Sequence, residues 1–288
     1  MADHRAAAGS DASRQGLGPV RSVFFETLRP QLRWEGETRV PANPEKVAVI
    51  AHWSVDARVS PSFEALVRAV MKRGYFVLIA SACSDPEPLQ FASELPTRPA
   101  ILRKPNIGYD FGSWAAAFLS QPQVFLANRV LQINDSLLGP FSSIDHLIDD
   151  FESDKGDLWG LVRNHQIRAH LQSYFIGYTA PVLQSRTFQD FWASVRVEAT
   201  KPQIIQRYEY GLSQRVYNEG FVAAAYLEPH LVGDPQLNPM ITAWDAVLRA
   251  GIPFLKRELI ASPSVVAEGD RIPERLRREF NIDIAEWL

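Results

Sequence analysis

Residues able to act on a substrate gather at three places in the chain. RVLQINDSLLGP, residues 129–140, runs apolar into Asn134-Asp135-Ser136. A carboxylate delivered there between two small polar side chains suits a divalent cation such as Mg²⁺ or Mn²⁺, which takes oxygen ligands, or a sugar hydroxyl. The same residue types also make ordinary turns. KPNIGYDFGSW, residues 104–114, sets Asn106, Gly108, Asp110 and Gly112 between an apolar run and a helical one. Free backbone N–H groups at such a junction attract an anion, with Arg103 and Lys104 alongside as cations. Asp110 reads there as a helix N-cap or as an acceptor for a ribose or sugar hydroxyl. RYEYGLSQRVYNEG, residues 207–220, carries Glu209 near one helical face with Leu212, Val216 and Gly220.

A further stretch, HLQSYF, supplies His170, Gln172 and Ser173. His170 can bind an acceptor hydroxyl or take a proton near neutral pH, or sit in the core with its ring nitrogens satisfied. Gln172 and Ser173 are neutral, which suits sugar hydroxyls better than charged groups. Lys256 and Arg257 can reach a phosphate group or form a solvated face.

These residues need a scaffold, and the apolar pattern supplies one. KVAVIAHW (46–53), YFVLIAS (75–81), AILRKP (100–105) and RVLQIN (129–134) read as buried strands. Helical patterns follow from Ser60-Pro61 to Gly74 and over DFGSWAAAF (110–118). Strands alternating with helices predict a mostly parallel sheet, and open sheets of that kind bind ligands at the carboxyl ends of their strands. Farther on, DLWGLV (157–162) and LQSYFIGYT (171–179) read as strands, TFQDFWASV (187–195) and EYGLSQRVYNEG (209–220) as helices. A strand over FVAAAYL and a helix around ITAWDAVLRA close the pattern.

Composition narrows the function classes. With 288 residues the chain can bury a large core, and a net charge of −3 gives no field for a nucleic-acid backbone. One cysteine, Cys83, allows no internal disulfide and points to a reducing cytoplasm. Residues 1–20 are rich in Ala, Gly and Ser and read as a disordered lead-in without the apolar core of a signal peptide. Residues 21–44 follow as an N-terminal helix and linker. That helix places Val20, Val23, Phe24 and Leu28 on one side, to pack on the domain or to touch the inner face of a membrane peripherally. A main domain over 45–265 and a C-terminal helical extension over 266–288 complete the expected organisation.

From Tyr208-Glu209 through Leu212, Arg215 and Val216 to Gly220, the spacing resembles the glycosyltransferase pattern ED-x-x-L-x-x-R-L-x-x-x-G, with Tyr208 where the first acid would stand. The ordered blocks NIGYDFGSW, INDSLLGP, DLWGLV with HLQSYFIGY, YEYGLSQRVYNEG and NPMITAWDAVLRAGIPFLKREL resemble the rhamnan synthesis protein F family over roughly residues 45 to 265. That resemblance implies an α/β, GT-A-like (Rossmann-like) sheet flanked by helices and the assembly of a rhamnose-containing cell-surface polysaccharide. It implies dTDP-rhamnose as donor and a glycan or lipid-linked glycan as acceptor. The Asp-x-Asp of GT-A enzymes falls on Asn134-Asp135-Ser136, which keeps one carboxylate, Asp135, for a metal. By the same likeness Glu209 is the acceptor base, with His170 as an alternative. His52, Trp53 and Asp56 then end the first strand where base and ribose bind, Trp53 being either a stacking platform or a core aromatic. A glycan-binding or assembly subunit without catalysis is the second reading, supported by Ser136 and Tyr208. A nucleotidyltransferase would need a lysine in a glycine-rich loop, which the sequence lacks.

Overall fold

The computed structural model describes residues 21–288, so the lead-in expected at 1–20 lies outside the described residues. In chain order the strands are β1 (Arg33–Glu35), β2 (Lys46–His52), β3 (Phe76–Ser81), β4 (Ala100–Arg103), β5 (Arg129–Asn134), β6 (Leu137–Leu138), β7 (Leu158–Asn164), β8 (His170–Leu171), β9 (Phe175–Thr179), β10 (Ala223–Leu227) and β11 (Leu255–Lys256). Those of the main sheet lie in the order β1-β4-β3-β2-β5-β9-β7-β10, with β8 on β7. β2 is buried from Val47 onward and takes parallel neighbours on both sides, as a run without a polar face must. Its alternate residues serve different layers. With the helices at Val23–Leu28 and Pro61–Lys72 as α1 and α2, Val47, Val49 and Ala51 pack with Trp114 and Phe118 of helix α3 (Tyr109–Ser120). Ala48 and Ile50 pack with Phe63 and Val67 of the helix at Pro61–Lys72 and with Leu147 of the helix at Asp145–Glu152. The molecule is thus α/β and Rossmann-like, a large mostly parallel mixed sheet between two helical layers.

Parallel pairing sets the carboxyl ends of β2, β3, β4 and β5 on one edge. β9 runs antiparallel to β5 with Phe175 opposite Ile133, so the segment just before β9 reaches that edge too. There Asn134 N–H donates to the Tyr174 carbonyl at 3.1 Å. A small second sheet pairs β6 with β11, which brings Lys256 opposite Leu137. The chain's last turns cover it, Ile272 and Leu276 of the helix at Ile272–Phe280 packing with Leu138 and Leu255. Near the other end, Phe24 and Leu28 of the short helix at Val23–Leu28 are buried against the α3 layer, while Val23 is exposed. No helix among the described residues is long and apolar enough to cross a membrane.

Several local expectations need correction. Gly108, at φ +86°, caps α3, and Asp110 sits inside its first turn without capping it. An added Cβ on Gly108 would meet the Phe24 ring at 3.1 Å, so close packing reinforces the left-handed requirement. The strand expected over 171–179 is broken: β8 ends at Leu171 and β9 begins at Phe175, leaving Gln172, Ser173 and Tyr174 as a connection. Glu209 does not begin its helix. Helical structure starts at Lys201, passes through a π-helical turn at Ile205–Glu209 and continues as Tyr210–Asn218.

Candidate functional site

At the end of β2, His52 is buried and shares a hydrogen bond between its Nδ1 and Ser81 Oγ at 3.1 Å. Burial, then the charges of Arg103 and Arg257, holds its imidazole down to about 3, so it is a neutral wall and not a proton donor. Trp53, one residue past the strand, is 52% exposed. It lines a cleft of about 590 Å³ together with Asp56, Ser60, Asp135, Ser136 and Arg257. Between the two expectations for Trp53, the core aromatic is ruled out by its exposure.

Asp135 joins this cleft to a deeper polar cluster. Its Oδ2 accepts the Trp53 backbone N–H at 2.7 Å. Burial, then the negative charge of Asp110, pushes its carboxyl up to about 7. Asn134 is fully engaged, its Nδ2 donating to Asp110 Oδ2 at 2.6 Å and its Oδ1 accepting from Ser136 N and Oγ. Burial also raises the Asp110 carboxyl, against the Asn134 hydrogen bond and the charges of Lys256, Lys104 and Lys201. Lys104 donates to the Pro105 carbonyl at 2.7 Å, and burial lowers its ammonium to about 8 against the pull of Asp110. Asn106 is exposed on the loop before Gly108.

Arg103 does not join this cluster. Its guanidinium pairs with Glu35 at 2.6 Å and donates to the carbonyls of Cys83, Asp85 and Glu87, so it ties β4 to β1 and the loop after β3. Strand alternation sends Arg103 and Lys104 to opposite sides, which their adjacency in sequence conceals. As for a metal, the cleft offers two carboxylates, Asp135 at the strand end and Asp56 on the loop beyond it, and no group of three or more His, Cys, Asp or Glu side chains stands ready to hold an ion among the described residues.

Glu209 closes the π-helical turn, a local widening of the helix that often accompanies functional sites. Both carboxylate oxygens are held: His170 Nε2 lies 3.1 Å from Oε1, and Ser173 Oγ donates to Oε2 at 3.0 Å. The other ring nitrogen of His170, Nδ1, faces the Arg168 carbonyl at 2.7 Å and must carry a hydrogen there. Its Nε2 is thereby aimed at Glu209 Oε1, so the two side chains are positioned together. Tyr208 beside it is buried, its hydroxyl bonded to the Arg196 backbone and to Glu198 at 2.9 Å. Gln172 is buried with its Oε1 unpartnered among the described residues, as is the Tyr174 hydroxyl. The Lys256 ammonium stands 4.0 Å over the Tyr174 ring, and burial brings it down to about 8, opposed by Glu209 and then Asp110.

Arg257 and Ser60, which sequence reasoning did not assign to this cleft, line it together. Arg257 donates from Nε to the Asp135 carbonyl at 2.8 Å and from Nη2 to Ser60 Oγ at 3.1 Å. The β6–β11 pairing creates this contact across 122 positions, and no spacing rule covers it.

Comparison with known proteins gives a consistent picture. A profile described as rhamnan synthesis protein F matches residues 90–284, a span that takes in Asp110, Asp135, His170, Glu209 and Lys256 and leaves out Trp53. Virulence protein VirA of Vibrio anguillarum is 25% identical over 193 residues, which cover 56% of this chain and 62% of VirA. The uncharacterized protein y4gN of Sinorhizobium fredii is 27% identical over 134 residues, 45% of this chain and 35% of that protein. The chain thus matches less than two thirds of the length of either relative.

Proposed function

The chain belongs to the rhamnan synthesis protein F family, and on that premise we propose that it acts in polysaccharide synthesis as a glycosyltransferase. It moves a deoxysugar, rhamnose, from dTDP-rhamnose to a glycan or lipid-linked glycan, with inversion at the anomeric carbon. The observation that carries the reading is the double clamp on Glu209 by His170 and Ser173, in a cluster whose charges reach Asp110 and, through it, the Asp135 cleft. The sheet order β4-β3-β2-β5 with antiparallel β9 beyond it supports a GT-A-type donor site at the strand ends.

In this reading the nucleoside lies in the cleft against Trp53, with Asp56 at its mouth, and the sugar reaches toward Glu209. The acceptor oxygen attacks the anomeric carbon as its proton passes to the Glu209 carboxylate, and the bond to the diphosphate breaks with its electron pair leaving on the diphosphate. His170 fixes Glu209 in the orientation for that transfer. Gln172 and Ser173, neutral and close to Glu209, suit hydroxyls of the incoming sugar. Asn106, Gly108 and Lys104 border the donor sugar side beside Asp110. We assign the reaction to the cytoplasm at the inner membrane face, a reading supported by the lone unpaired Cys83 and by the exposed Val23 on the N-terminal helix.

A noncatalytic glycan-binding subunit is the competing reading, favoured by the purely internal hydrogen bonds of Tyr208 where the pattern has an acid. Incubation of the purified chain with a panel of nucleotide sugars and glycan acceptors separates the two. Release of the nucleoside diphosphate together with an extended glycan supports transfer; glycan binding with every nucleotide sugar left intact supports the subunit.

A further inference from the structure

We propose that Arg257 and Lys256, and not a divalent cation, neutralise the departing diphosphate. The inference rests on the donor-site reading above and names what stabilises the leaving group within it. Neither cation is ion-paired among the described residues, in contrast to Arg103, which is saturated by Glu35 and three carbonyls. Arg257 uses Nε and Nη2 on Asp135 and Ser60, which fixes the guanidinium along the cleft wall and leaves Nη1 without a protein partner among the described residues. A guanidinium anchored in this way presents its remaining N–H groups to phosphate oxygens in a preset fork.

Lys256 precedes it with extended backbone at φ −70° and ψ 129°, so the two side chains diverge from the chain. Its ammonium rests on the Tyr174 ring, toward Glu209 and Asp110. Sheltering an ammonium that makes no hydrogen bond or ion pair among the described residues is costly even with the charges of Glu209 and Asp110 nearby, and an anion between Lys256 and Arg257 offsets that cost. Arg257 thus stands on the wall of the Trp53 cleft and Lys256, its chain neighbour, on the side of Tyr174, Glu209 and Asp110, and the proposal sets the diphosphate between the two. The ligand chemistry at the strand end leaves a divalent cation little: Asn134 Oδ1 accepts from Ser136 and Asp135 Oδ2 from the Trp53 N–H, so Asp135 Oδ1 is the strand-end side-chain oxygen without a hydrogen-bond partner among the described residues. Two cations beside it supply the positive charge that so thin a donor set would otherwise have to recruit.

Calorimetric titration of the full chain with dTDP tests this, in EDTA and then with Mn²⁺ or Mg²⁺. The clamp predicts equal affinity in all three conditions and a loss of about 10- to 100-fold in Arg257→Gln, with Arg257→Lys recovering part of it. Inorganic pyrophosphate should compete with dTDP in the wild type and far less in Arg257→Gln. The thermal midpoint of each variant shows whether it is folded, and the comparison of Arg257→Lys with Arg257→Gln separates lost charge from lost packing. Binding of dTDP only when a divalent ion is present overturns the clamp and leaves the donor site standing. Binding of neither dTDP, UDP nor pyrophosphate under any condition overturns both.

Discussion

His170 Nε2 lies 3.1 Å from Glu209 Oε1, and the Arg168 carbonyl on the far side of the ring leaves the imidazole no freedom to turn away. The ring also meets Tyr210 edge-on with centroids 4.5 Å apart. A histidine held at both nitrogens and on its face is a positioning residue for the carboxylate. His170→Ala should lower the rate of transfer by about 10- to 100-fold while leaving the affinity for dTDP unchanged. An unchanged turnover number in this variant would show that Glu209 needs no such support.

Trp53 reaches the cleft from beyond the end of β2, where removing its ring exposes no core. Trp53→Ala should therefore keep the thermal midpoint of the wild type, and dTDP affinity should fall by about 5- to 150-fold, the range of one lost base-stacking contact of about 1–3 kcal/mol. Titration with dTDP beside a melting curve checks both halves of that expectation.

The Asp135 carboxylate accepts the Trp53 N–H at 2.7 Å, and its role in the account is to shape the loop. An amide oxygen can accept the same hydrogen. Asp135→Asn should keep dTDP affinity within about threefold, whereas Asp135→Ala, which releases the loop, should lose about tenfold. If Asn and Ala are equally damaging, charge at this position matters and the metal role first suggested by the sequence returns.

Lys256 gives the site a dependence on pH. Its ammonium is lowered by burial to about 8, so it is charged at neutral pH and loses its proton as pH rises through that value. An anion favours the charged form. Binding of dTDP should thus weaken as pH rises above about 8, by at most about tenfold per pH unit, and be accompanied by proton uptake. For stability the sign is opposite. The unfolded lysine, at its ordinary value of 10.5, holds its proton above pH 8 when the native one does not, so this residue's contribution rises between about 8 and 10.5. Lys256→Met should accordingly stabilise the chain at pH 7 by about 1–2 kcal/mol in urea unfolding, less than the full shift because the side chain is partly solvated. It should also flatten the pH dependence of dTDP affinity.

Much of the scaffold was legible because β2 to β5 are buried on both faces and read as continuous apolar runs, which locate the strand ends that carry His52, Asn134 and the loop before α3. Of the candidate site, Glu209 stands out within 207–220 and His170 and Ser173 within HLQSYF, and the fold brings these two blocks into hydrogen-bond contact. Arg257 escaped because its place depends on the two-residue pairing of β11 with β6, too short to leave a periodic signal. The π-helical turn before Tyr210 has no sequence period of its own, so the helix was expected to begin at Glu209 when it begins at Lys201. Arg103 was misread as a donor contact because its partner, Glu35, lies on β1, a strand of three residues that pattern alone cannot register.

The most direct test of the account is the transfer rate of Glu209→Gln. The amide keeps the shape of the side chain and can still meet His170 and Ser173, but it cannot take the acceptor's proton. The account predicts that purified Glu209→Gln binds dTDP as the wild type does and transfers sugar about 10²–10⁴-fold more slowly. Transfer at the wild-type rate would contradict it.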